Sequence, residues 1–208
     1  QIGLPQTLLK LNDSFNLAVL EIGTNHFGEV GYLAKIAKPN IAIITNIGPS
    51  HLGYFKNLEG VFKEKGTLLN NLKEPSIAIL NADDVLLKKE ILKKNKKAFI
   101  LGFGIRKKSD FSASDIKYRN ARVEFLVNEK FKFTLRTCGY YNIYNALSAI
   151  AAGRLFGGEA AHAHPVPGAA PGHLGLGDER RVALAAQLGD EAIGLGPVLA
   201  GGELQGEG

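Results

Sequence analysis

Two short apolar runs, each ending on a polar residue, constrain the fold of this chain more than any other feature. LAVLEI (17–22) delivers Glu21, and IAIIT (41–45) delivers Asn46, with His51 five residues beyond. Their apolar residues are continuous rather than alternating, as strands buried on both faces require. An amphipathic stretch follows, with Leu58, Val61, Phe62, Leu68, Leu69 and Leu72 at the spacing of a helix that buries one side. Lys65 falls inside that apolar stripe. A buried ammonium is costly unless it is paired, neutralised or chemically altered. A carboxylate, an imidazole and an inward lysine after strands of one sheet make a candidate site; a snorkelling or ion-paired lysine is the plainer alternative.

The same alternation continues along the chain. Helical patterns are expected over 3–11, 28–38 (Val30, Tyr32, Leu33, Ile36 and Ala37 apolar, with Pro39 as the stop) and 85–94, and strands over 16–22, 40–45, 76–80 and 98–102. In NADD (81–84) an Asn or Asp is placed to cap the helix that follows. Strand and helix in turn indicate a mostly parallel sheet flanked by helices. The pattern then changes to an antiparallel three-strand appendage over 111–118, 121–127 and 131–137, with one wet face, and an apolar helix over 142–156 closes the unit.

After residue 157 lysine disappears and Gly, Ala and Pro dominate. The expected organisation is therefore an α/β domain over 1–157 and a Gly/Ala-rich linker with a remnant over 158–208. His162 and His164 lie at His-x-His spacing, but no third ligand stands at a fixed distance from them, and the stretch reads as a linker.

Composition narrows the class. The 208 residues carry 45% hydrophobic side chains, as a globular chain does. The one cysteine, Cys138, has no internal disulfide partner, which fits a reducing compartment. No apolar run approaches the roughly 18 residues of a membrane span. The chain opens on Gln1 and contains no methionine, so it is expected to be a piece of something longer. Its net charge of +5 is asymmetric: residues 158–208 hold two basic side chains against seven acidic ones, and the body is correspondingly basic. The lysine pairs at 88–89, 93–94 and 96–97 have no interleaved aromatic residues, so they read as a solvated face rather than a nucleic-acid surface.

Five segments, taken in order, resemble the Mur ligases, the ATP-dependent amino-acid ligases of peptidoglycan synthesis. They are GLPQTLLKL, LEIGTNHFGEVGYLAKIAKP, IAIITNIGPSHLGYFKNLEGVFKEKG, AILNADD and GYYNIYNALSAIAAGRLFG, and together they cover about residues 1–157. The Glu-Ile-Gly-Thr-Asn-His run with Gly28-Glu29 is similar to the branch that adds D-Ala-D-Ala to UDP-MurNAc-tripeptide. The resemblance implies cytoplasmic chemistry in which ATP phosphorylates a carboxylate and an amine attacks the acyl phosphate, with Mg²⁺ neutralising the approaching anions.

It also implies roles. Glu21 matches the metal-binding glutamate, His51 the histidine near a second metal, and Lys65 the lysine carbamylated in several members. Asn142 and Asn145 match the two asparagines of the adenine-side motif, with Tyr141 where the family usually has histidine. The plainer alternatives are a strand-end ion pair for Glu21, a loop cap for His51 and helix-start packing for the asparagines.

Two departures accompany the likeness. No G-x-x-x-x-G-K-[ST] phosphate loop occurs, and GFGIRKK (102–108) has the glycines in the wrong order. The chain is expected to start downstream of that loop and to be inactive alone. The PVPG at 165–168 resembles the linker before the family's C-terminal domain, but Ala169 stands where arginine is expected and the rest matches poorly. Other readings are a related ligase, such as a folylpolyglutamate or cyanophycin synthetase, and a non-catalytic nucleotide- or metal-binding module.

Overall fold

The computed structural model describes residues 3–93, 98–137 and 139–156, and the backbone of 182–187. Helix α1 (Gly3–Leu9) leads into strand β1 (Leu17–Glu21), followed by α2 (Glu29–Ala37) and β2 (Ile41–Ile44). Next come a single turn, α3 (Leu52–Phe55), then α4 (Leu58–Gly66), β3 (Ile77–Asn81), α5 (Val85–Leu92) and β4 (Phe99–Gly104). Strands β5 (Phe111–Arg119), β6 (Arg122–Val127) and β7 (Phe131–Leu135) precede the long helix α6 (Tyr140–Leu155), and β8 (Val182–Gln187) is the last described element.

The strands form one sheet in the order β1-β8-β2-β3-β4-β5-β6-β7. Pairing is parallel from β1 through β5 and antiparallel from β5 to β7. The appendage is thus continuous with the main sheet, joined by the parallel pairs Phe103–Phe111 and Gly104–Ser112. The strand 182–187, drawn from the segment expected to be a remnant, lies between β1 and β2.

Both faces of the central strands are buried, which is why their runs are continuously apolar. Ile41, Ile43, Ile77, Ile79, Leu101 and Phe103 pack with Ile143, Leu147 and Ala151 of α6. Ala42, Ile44, Ala78 and Leu80 pack on the opposite face with Val30, Leu33, Val61 and Leu87 from α2, α4 and α5.

Several expectations need correction. β1 is an edge strand rather than a fully buried one: Leu20 is 2% exposed but Val19 is 50% exposed. The α2 stripe buries Val30 and Leu33 but leaves Tyr32 and Ile36 in solvent. The helix expected to run from Leu58 to Leu72 stops at Gly66, and Leu69–Asn71 forms a separate 3₁₀ turn. The break is local side-chain chemistry: the Thr67 hydroxyl donates to the Glu64 carbonyl, and the Asn71 amide donates to the Thr67 carbonyl. Leu58, at the exposed first turn, does not join the buried stripe. The β5–β6 hairpin turns at Asn120-Ala121, both at positive φ, one residue later than expected. Cys138, the 94, 96 and 97 lysines, and His162 and His164 lie outside the described residues.

Candidate functional site

The sequence-derived residues lie at or beyond the carboxyl ends of the parallel strands, where open α/β sheets hold ligands. Glu21 ends β1 and is exposed. His51 takes a left-handed conformation at the start of α3, exposed, with its ring edge-on to Phe55 at 6.4 Å. Gly60 allows α4 to return directly over this turn, since a Cβ there would stand 2.0 Å from the Phe55 carbonyl oxygen.

Lys65 is 6% exposed, and its Nζ donates to the carbonyl of Asn46 at 3.3 Å. Its neighbour Glu64 is more deeply buried, at 2%, and sequence reasoning missed it. The two Glu64 carboxylate oxygens accept the Gly28 and Val30 amides, both at 2.8 Å, at the start of α2. Two adjacent residues of α4 therefore reach different loops, Lys65 the one after β2 and Glu64 the one after β1.

Glu29 orders the rest of the β1 loop. Its carboxylate accepts the amides of Asn25 (2.6 Å) and His26 (3.0 Å) and the Thr24 hydroxyl (3.3 Å). The Asn25 bond is the main reason its carboxyl is held below the usual carboxylate range. His26 stacks at a tilt on Tyr54, with centroids 4.2 Å apart, joining this loop to α3.

Among the described residues no three His, Cys, Asp or Glu side chains are grouped closely enough to hold a metal ion. The oxygens nonetheless suit a hard cation. Glu21 offers an exposed carboxylate, and the Asn46 amide oxygen is buried with no hydrogen-bond donor among the described residues. Lys65 as an ammonium is a donor and not a ligand; as a carbamate it supplies anionic oxygens.

At Asn46 opens a cavity of about 500 Å³, whose lining does not include Glu21, His51 or Lys65. Its walls are the loop 45–50 after β2, the stretch 81–84 after β3, Arg106 after β4, and the first turns of α6. Asn46 therefore belongs to both places: its carbonyl meets Lys65, and it lines the cavity. Asn145 lines the cavity too, whereas Asn142 is turned toward the Thr137 hydroxyl, to which its amide donates at 3.3 Å.

The NADD stretch does more than cap a helix. Asp84 caps α5 as expected, accepting from the Leu86 and Leu87 amides with one oxygen, while its other oxygen accepts the Ile47 amide at 2.7 Å. The Asn81 amide donates to the Thr45 carbonyl at 2.9 Å. Asp83 accepts from the β4 exit and from Tyr144 of α6. The signal for these bonds was a polar run after a buried strand, but the Asp83 partners stand 22 to 61 residues away.

The Mur ligase middle domain family matches residues 1–153. The UDP-N-acetylmuramoyl-tripeptide–D-alanyl-D-alanine ligase of Buchnera aphidicola (subspecies Baizongia pistaciae) is 42% identical over 154 residues, which cover 71% of this chain and 33% of the relative. The crystal structure of MurF from Acinetobacter baumannii superposes with a TM-score of 0.67 at 31% identity, covering 73% of this chain and 33% of that one. MurF from Thermotoga maritima, solved in complex with ADP, gives 0.57 at 26% identity, covering 66% of this chain and 32% of that one. The chain spans about a third of the length of the curated relatives it matches. With that match running from the first helix into α6, this chain belongs to the Mur ligase middle domain family.

Proposed function

We propose that this chain is the nucleotide- and metal-binding part of an ATP-dependent ligase that joins D-Ala-D-Ala to UDP-MurNAc-tripeptide in the cytoplasm. The observation that carries this reading is the meeting of two features at Asn46. A buried lysine sits on its carbonyl, and a cavity of nucleotide size opens beside it. The Buchnera relative is named for this reaction, and the Thermotoga MurF was crystallised with ADP.

In this reading Asn145 offers the donor and acceptor that an adenine edge needs, and Asn142 orients the turn from which it projects. Glu21, His51 and Lys65, the last as a carbamate, hold the metal side. Bound Mg²⁺ supplies charge neutralisation between the phosphates and the incoming carboxylate. The chain's own residues keep the loops fixed while that charge develops: Glu64 and Glu29 hold the β1 loop, and Asp84 holds the β2 loop. The carboxylate of the tripeptide attacks the terminal phosphorus and ADP departs. The amine of D-Ala-D-Ala then attacks the acyl carbon, and phosphate leaves.

The test is phosphate release by a protein that carries this domain. Release should require both UDP-MurNAc-tripeptide and D-Ala-D-Ala, and Lys65→Ala should lower kcat by about a thousandfold. Native mass spectrometry should show one carbon dioxide added at Lys65. Release indifferent to D-Ala-D-Ala would sink the ligase reading, and full activity in Lys65→Ala would sink the role of that lysine.

A further inference from the structure

Asp83 has an unusual division of labour between its two carboxylate oxygens. Oδ2 accepts three hydrogen bonds, from the amides of Ile105 (2.6 Å) and Arg106 (2.9 Å) and from the Tyr144 hydroxyl (3.0 Å). Oδ1 is buried with no hydrogen-bond partner among the described residues. The backbone is shaped to admit this carboxylate. The Asp83 amide donates to the Asn81 side chain at 2.9 Å, turning the chain as it leaves β3. Gly104 leaves the room, since a Cβ there would lie 3.1 to 3.2 Å from the carboxylate atoms.

The donors come from two segments that wall one cavity, the β4 exit and α6. Arg106 stands on the β4 exit, and Tyr144 lies one helical residue before Asn145. Arg106 in turn places its guanidinium 6.0 Å from the centre of the Tyr140 ring, and Tyr140 meets Tyr144 edge-on at 5.5 Å. Removing the Oδ2 atom would therefore release the β4 exit and α6 together. A carboxylate with three donors on one oxygen and none on its buried other is costly to maintain for packing alone.

We propose that Asp83 is a positioning residue of the cavity, fixing the β4 exit and the first turns of α6 in the places from which Arg106, Tyr140 and Asn145 meet a purine nucleotide. The proposal rests on the nucleotide reading given above. It concerns how the walls are held, and assigns Asp83 no contact with the nucleotide.

The test uses a protein that carries this domain, with ADP as the probe, measured by calorimetry beside urea unfolding and amide hydrogen exchange. Asp83→Ala should weaken ADP binding about tenfold and speed exchange at Ile105 and Arg106. Asp83→Asn should stay within about threefold of the parent, because its amide oxygen can keep the three donors while the other oxygen has no partner to lose among the described residues. Tyr144→Phe should weaken ADP alone and add less than that in the Asp83→Ala background, because the two side chains share one bond. Gly104→Ala, which crowds the carboxylate without removing it, should weaken ADP in the same direction and keeps the test decisive if Asp83→Ala does not fold.

Wild-type ADP affinity in Asp83→Ala or Gly104→Ala would overturn the proposal. So would a loss in Asp83→Asn as large as in Asp83→Ala, or a lowered urea midpoint with affinity unchanged. If the unsubstituted protein that carries this domain takes no ADP, the nucleotide reading fails at that control and the positioning role falls with it.

Discussion

Glu64 shows how much a single side chain decides here. Its carboxylate is buried and accepts two amides at the start of α2, where unpaired N–H groups and the helix dipole favour an anion. Glu64→Ala would leave both amides without an acceptor in a dry place, and urea unfolding should show a loss of about 2–4 kcal/mol. Glu64→Gln, which keeps one acceptor oxygen, should lose about half as much. A smaller loss for alanine than for glutamine would contradict this account. Tyr144 makes a second prediction, with a pH sign. Burial, followed by its hydrogen bonds to Tyr140 and Asp83, pushes its phenol well above the ordinary value of 10.0. Above pH 10 the unfolded chain sheds this proton while the folded chain keeps it, so the folded state binds more protons and stability falls as pH rises. Below that pH the contribution is complete. Tyr144→Phe should flatten the alkaline part of the stability curve, and an unchanged slope would show that the phenol is not held neutral.

At the scale of elements, β8 is the least expected member of the sheet. It pairs in parallel with β1 through five residues and with β2 through four, so strands that are neighbours in the chain are separated in space. VALAAQ is rich in alanine and lies among glycines, so β-propensity gave no reason to place it inside a sheet. Leu184 is in register with Val19 on one side and Ile41 on the other. Leu184→Pro removes an N–H from an interior strand and should cost about 2–4 kcal/mol, with faster hydrogen exchange in both β1 and β2. Leu184→Val keeps the N–H and serves as the control. Equal stability of the two variants would show that β8 does not hold β1 to β2. The opposite case is β2 itself, IAII, whose four residues are all buried and whose strand was plain from sequence because both faces needed apolar cover.

Across the whole molecule, legibility follows the range of the interaction. Continuous apolar runs reported the parallel sheet, and the inward Lys65 was visible because its helix has a local period. Glu64 and Asp83 were opaque because their partners lie on other elements, and nothing in KEKG or NADD names them. Val19 was misread because burial of an edge strand depends on what covers it, and that is a tertiary fact. These long-range bonds also predict how the domain should answer a ligand. The cavity is walled by segments following β2, β3 and β4 and by α6, which packs on the sheet face opposite α2, α4 and α5. A nucleotide seated there touches three strand exits and α6, so it should stabilise the sheet as one unit rather than one loop. At a hundredfold excess over Kd the gain is about 2.7 kcal/mol by mass action. Thermal unfolding with ADP should therefore shift as a single transition, with added exchange protection in the β2 and β4 exits alike. A shift confined to protection near α6, with the transition unmoved, would mean that the ligand sits on the helix and not in the cavity.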